Sequence, residues 1–157
     1  MPKRYRDLNT YLREKFCCRV QKIAVDAGLS CPNRDGTCGS GGCTFCNNRA
    51  FTPSYNSPEM SVREQIERGM EFHRTRYRNA RQFLAYFQSF SNTYGDLDYL
   101  KSLYEEALEV PGIAGIVVGT RPDCVDARKL DYFRDLSRRC YLTLEYGIES
   151  LLDHTLE

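Results

Sequence analysis

The 157-residue sequence has no long apolar run, only two histidines and almost no net charge. No stretch approaches the roughly 20 apolar residues that a membrane-spanning helix needs, so no membrane partner is expected. The opening run Met1-Pro-Lys-Arg-Tyr-Arg-Asp7 lacks the apolar centre of a secretion signal. A cytoplasmic protein is therefore expected. Twenty-two basic residues stand against 21 acidic ones, a net charge of +1, and bulk charge calls for no polyanionic partner. His73 and His154 have no catalytic partner nearby in sequence, and both read as surface residues.

Cysteine is what the chain does have, eight of them. Without an export signal a disulfide framework is not expected. That leaves metal ligation, catalysis or burial. Cys17, Cys18, Cys124 and Cys140 are scattered and read as small packing residues. The other four share one run, Cys31-Pro-Asn-Arg-Asp-Gly-Thr-Cys38-Gly-Ser-Gly-Gly-Cys43-Thr-Phe-Cys46. Its glycines, Gly36, Gly39, Gly41 and Gly42, make it a loop. A flexible loop that returns thiolates to one point suits a metal or a cluster. Two ligations fit. Cys31, Cys38, Cys43 and Cys46 could hold a tetrahedral zinc, giving a zinc-stabilised protein- or nucleic-acid-binding module without catalysis. Three of them could instead hold an iron–sulfur cluster with one iron left open.

The remaining pattern alternates. Tyr5, Leu8, Leu12 and Phe16 fall at helical spacing. Val20 to Val25 is β-branched and stopped by Gly28, a strand, and the cysteine loop follows it. Ser61-Val-Arg-Glu64 has the form of a capping box and predicts a helix to about Tyr77. Strands are predicted over Gln82–Gln88, Ile113–Gly119 and Tyr141–Gly147. Helices are predicted from Asp96 or Asp98 to Leu108, from Asp126 to Arg139, and from Ser150 onward. Strand–loop–helix repeated in this way implies parallel strands with crossover helices, an α/β fold. Ligands in such folds collect beyond the carboxyl ends of the strands. The cysteine loop, Ser89–Tyr94, Thr120–Asp123 and Glu145–Ser150 all follow strands.

Cys31-x11-Cys43-x2-Cys46, with Lys22-Ile-Ala-Val-Asp-Ala-Gly28 before it and Gly-Gly-Cys-Thr-Phe-Cys-Asn within it, resembles a radical S-adenosylmethionine (SAM) protein. The resemblance is closest to an uncharacterised bacterial group related to the catalytic subunit of Elongator. It spans nearly the whole chain, with support from Tyr86-Phe-Gln-Ser-Phe-Ser-Asn-Thr93, Gly119-Thr-Arg-Pro-Asp123 and Glu145-Tyr-Gly-Ile-Glu-Ser150. It implies a [4Fe–4S] cluster on Cys31, Cys43 and Cys46, with SAM chelated by the open iron. It places Phe45 near the adenine and Asn92 and Thr93 near the methionyl amine. Arg121 and Glu145 fall near the methionyl carboxylate or ribose. It further implies a 5′-deoxyadenosyl radical that abstracts hydrogen, a flavodoxin or ferredoxin as electron donor, and a tRNA as a candidate substrate.

Cys38 stands outside that ligand pattern. A (β/α) barrel takes roughly 250 residues, and four strands therefore imply a partial barrel. The expectation is one domain over 1–157, with an N-terminal helical extension over 1–19 and four βα units over 20–157, the last helix incomplete. A fragment or truncated product is expected, with a second polypeptide to complete the barrel. Plainer readings stand beside these. Phe45 could be a packing aromatic. Asn92, Thr93 and Arg121 could be turn residues, and Glu145 could face solvent. The run around Arg74, Arg76, Arg78 and Arg81 reads as a solvated helix end balanced by Glu64, Glu67 and Glu71. An RNA-contacting patch is the sharper alternative.

Overall fold

A computed structural model describes residues 4–50, 52–77 and 80–156. Helix α1 (Leu8–Phe16) begins three residues later than its periodicity suggests, because Asp7 caps it by accepting the Thr10 amide. Tyr5 stays exposed. Strand β1 (Arg19–Val25) follows, then the cysteine loop, then α2 (Val62–Arg76). Ser61 caps α2 as its sequence predicts, through the Glu64 amide. The rest is β2 (Ala80–Phe87), α3 (Leu97–Leu108), β3 (Ile113–Thr120), α4 (Ala127–Leu136), β4 (Tyr141–Tyr146) and α5 (Asp153–Leu156). Helix α4 stops at Leu136 rather than running to Arg139, with Ser137 as its C-cap. The last helix begins at Asp153, not Ser150.

The four strands are all parallel and lie in sequence order β1-β2-β3-β4. That order never reverses, so no switch point of the doubly wound kind arises. Ile23, Val25, Phe83, Ala85, Phe87, Ile116 and Val118 pack against Ile66 and Met70 of α2, Leu100 and Tyr104 of α3, and Phe133 and Leu136 of α4. These three helices therefore share one face of the sheet, and the main core lies beneath them.

The opposite face is covered by α1. Leu12 packs with Val20, Leu84 and Val117, and Tyr11, Phe16 and Tyr141 border that cluster. Alternation along the strands does the sorting: residues at even spacing from Val20 and Leu84 meet α1 or the space beyond it. Past the α1 plug this inner face turns polar. There Lys22 of β1 reaches Glu145 of β4, 2.5 Å from Nζ to Oε1. In a flat sheet the outer two of four strands stand about 14 Å apart, three spacings of ~4.8 Å. Two side chains bridge that span only if the sheet curves toward its inner face. Four parallel strands with crossover helices are thus as expected from the sequence.

Two expectations need correcting. His73 is half-buried rather than a surface residue, stacked on Tyr77 and edge-on to Tyr55 and Phe72. Cys17 is exposed, with φ 53° as the C-cap of α1, rather than buried in a core. Cys124 is buried, as a packing residue should be. His154 is exposed. Arg78 lies outside the described residues.

Candidate functional site

The segments after all four strands line one cleft of about 1000 Å³. From the cysteine loop come Cys31, Asn33, Cys43, Phe45 and Cys46. Gln88, Phe90 and Ser91 follow β2, Arg121, Pro122 and Asp123 follow β3, and Gly147 to Ser150 follow β4. Tyr86, Gly119 and Glu145 contribute from the strands themselves. The carboxyl rim of a parallel sheet is where such loops converge.

The cysteine loop is built from tight turns. Arg34 N–H donates to Cys31 C=O (2.9 Å), and Cys46 N–H to Cys43 C=O (3.0 Å). Gly41 and Gly42 hold φ near +90°, a region that side chains avoid, and they return the chain toward Asn33, whose carbonyl accepts the Gly42 amide. Asp35 bridges Ser40 in a small antiparallel turn. Cys38 lies within that turn, exposed, and is absent from the cleft lining.

Cross-links tie this loop to the one after β2. Thr37 Oγ1 and the Tyr94 hydroxyl are 2.9 Å apart, Ser91 N–H donates to Ser30 C=O, and the Arg34 guanidinium lies over the Phe90 ring. Phe90 has φ +63°, a strained position for an aromatic residue.

The thiols sense one another. Burial pushes the Cys46 thiol pKa up, and the neighbouring Cys43 and Cys31 add to the rise. The Asn33 amide donates to Cys43 Sγ at 2.9 Å. No disulfide is formed by the eight cysteines. Among the described residues, no three His, Cys, Asp or Glu side chains stand close enough to hold a single metal ion. A tetrahedral zinc with Zn–S near 2.3 Å would need sulfurs about 3.8 Å apart.

The other sequence candidates divide. Phe45 lies in the cleft wall, 66% exposed. Arg121 lines the cleft too, but its Nε and Nη2 already hold both oxygens of Asp123, at 2.9 and 2.6 Å. That hydrogen-bonded pair raises the arginine pKa and lowers the aspartate's. Asn92 and Thr93 do not line the cleft. Both are fully buried and tie the loops together. Asn92 Nδ2 donates to the carbonyls of Ser89 and Gly119, and the Asn92 carbonyl accepts from the Tyr104 hydroxyl. Its Oδ1 is buried without a protein partner. Thr93 Oγ1 meets Thr120 Oγ1 and donates to Cys124 C=O.

Glu145 is on the inner face and lines the cleft, bound by Lys22 and by the Tyr86 hydroxyl (2.6 Å). Burial favours its neutral form, but those two partners outweigh it and the carboxyl pKa is lowered. Sequence reasoning missed Lys22, Tyr86, Phe90 and Asn33. Alternation did carry a signal for Lys22, since Ile23 and Val25 fix the helix-covered face. Phe90 fell within the Ser89–Tyr94 segment flagged above, but no local pattern set it apart from its neighbours.

The arginine run lies elsewhere. Helix α2 returns antiparallel to the strands, so its last turn ends at the amino rim of the sheet. Tyr77 there sits beneath Arg19 at the start of β1. Arg74, Arg76 and Arg81 thus occupy the end opposite the cleft.

No family model matches the chain, and no solved structure matches it. The chain is 36% identical to the uncharacterized protein YtqA of Bacillus subtilis, over 98% of its own length and 47% of that protein's. It is 38% identical to the protein YhcC of Escherichia coli K12, over 92% and 46% respectively. A third relative is the uncharacterized protein MJ0486 of Methanocaldococcus jannaschii, 33% identical over 94% and 45%. The chain spans about half the length of the curated relatives it matches.

Proposed function

We propose that this chain is the first part of a radical SAM core, a partial (β/α) barrel whose cleft holds a [4Fe–4S] cluster and SAM. The supporting observation is the sorting of the cysteines. Cys31, Cys43 and Cys46 share the cleft wall, while Cys38 is turned out of it. Three thiols suit a cluster with one open iron better than a four-thiolate zinc. The donor chemistry fits as well: an amide hydrogen bond to Cys43 Sγ is the kind of contact that tunes a cluster-bound sulfur.

In this reading Cys31, Cys43 and Cys46 hold the cluster, and the chemistry such a group supplies when bound is reductive cleavage of SAM to a 5′-deoxyadenosyl radical. Phe45 offers an aromatic face for the adenine. Asn92 and Thr93 act indirectly, by fixing the loop that presents Ser91 and Phe90 to the cleft. An electron donor such as flavodoxin or ferredoxin, and strands from the rest of a longer protein or a second polypeptide, complete the assembly. A tRNA substrate remains part of the proposal, with the basic rim far from the cleft as a separate contact.

The test is anaerobic reconstitution with iron and sulfide. The purified protein takes up iron and acquires a broad visible absorbance. Cys43→Ala loses both, and Cys38→Ser keeps both. A well-folded protein that binds no iron, or that binds zinc through Cys38, ends the reading.

A further inference from the structure

Lys22, Tyr86 and Glu145 come from three different strands and meet on the inner face. Glu145 Oε1 accepts from Lys22 Nζ (2.5 Å) and Oε2 from the Tyr86 hydroxyl (2.6 Å). The Lys22 ammonium also lies 4.3 Å from the Tyr86 ring centre, within cation–π range. The contact has to cross β3, and it does so at Gly119, the residue in register with Glu145. A Cβ there would come within 3.3 Å of the Phe87 carbonyl and 4.0 Å of the Tyr86 ring. Gly119 has no positive φ to explain it; what a side chain there would crowd is the backbone of β2 at Phe87 and Gln88.

Directly across the sheet, Lys22 aligns with Leu84, Gly115 and Tyr141. Glu145 lies four residues further along. Strand tilt in a curved parallel sheet produces such an offset. Below the trio is the apolar plug of Leu12, Val20, Leu84 and Val117; above it is the cleft, lined by Tyr86 and Glu145. Lys22 is 26% exposed and Glu145 38%.

We propose that Lys22 and Tyr86 are positioning residues, which hold the Glu145 carboxylate oriented into the floor of the cleft to accept a hydrogen bond from a hydroxyl or ammonium group of the ligand. Each carboxylate oxygen keeps a lone pair beyond its bond to the protein. Arg121, the one cation among the described lining residues, is held by Asp123. The ligand part of this inference rests on the cofactor reading above; the positioning part does not.

Among the described residues, the other titratable groups that the inner face brings toward Glu145 are Tyr141 on its own strand and, from α1, Tyr11 and Lys15 against Tyr141. β3 presents Val117 and Gly119 and adds none. A ¹³C-carboxyl titration of Glu145, assigned with Glu145→Gln, reads the positioning without any cofactor. Glu145 titrates below the ordinary 4.5 in the wild type. In Lys22→Met it rises above 4.5, because burial then dominates. Tyr86→Phe raises it less, and Lys22→Arg restores it. In reconstituted protein, calorimetric SAM affinity falls tenfold or more in Lys22→Met and recovers in Lys22→Arg. A wild-type Glu145 at or above 4.5 overturns the proposal. So does a Lys22→Met protein that melts lower yet titrates and binds unchanged. Wild-type protein that takes up neither iron nor SAM counts against the cofactor reading alone, and the titration still decides the positioning.

Discussion

The Gln65 side chain clamps the backbone of Asp26. Its Oε1 accepts the Asp26 N–H and its Nε2 donates to the Asp26 C=O, both at 2.8 Å. Gln65 is fully buried on α2, and Asp26 is the first residue past β1. One amide thus stands in for a strand neighbour at the point where the cysteine loop departs. Gln65→Leu leaves two buried backbone groups unpaired and lowers stability by about 2–4 kcal/mol, read by urea unfolding. An unchanged midpoint refutes the clamp.

Gly115 lies where β3 meets β4, and a Cβ there would stand 2.0 Å from the Tyr141 carbonyl oxygen. That obstacle is backbone and does not rotate away. Gly115→Ala is expected to lower stability by more than the ~1–3 kcal/mol of ordinary overpacking, with amide exchange in β4 speeding up first.

Phe90 holds φ +63°. Phe90→Gly and Phe90→Ala both lose the ring and the Arg34 contact, so their difference isolates the backbone. The glycine variant should be the more stable by about 1 kcal/mol. Equal melting temperatures would remove the strain argument.

His73 is held neutral by burial, with Arg76 adding to the effect, so its folded pKa lies below the ordinary 6.5. The unfolded chain therefore takes up a proton first as pH falls. Stability is full above pH 6.5, declines as pH drops below it, and levels off once pH has passed the folded value. His73→Phe should flatten that part of the profile, measured by urea midpoints across pH 5 to 8.

Asn33 donates to Cys43 Sγ. Hydrogen bonds to cluster sulfurs favour the reduced, more negative state. On the cofactor reading, Asn33→Leu keeps the iron content and moves the reduction potential to a more negative value, followed by an anaerobic redox titration. An unmoved potential would show that this bond does not tune the site.

Element type and order were legible because each rests on local pattern. The Ser61 capping box, the β-branched run at Ile113 and the glycines of the cysteine loop act within a few residues. Boundaries shifted where a cap acted, as Asp7 does for α1. The convergence of four loops on one rim was also legible, since parallel strands leave no other arrangement.

What the sequence determined by itself was a parallel α/β chain whose chemistry-bearing loops follow its strands, because hydrophobic period and turn residues are local properties. Only the tertiary structure decided which polar residues face the cleft. It buried Asn92 and Thr93, turned Cys38 outward and joined Lys22 to Glu145 across four strands. Those outcomes depend on sheet curvature and on loop packing between segments far apart in the chain, and no local pattern encodes either one.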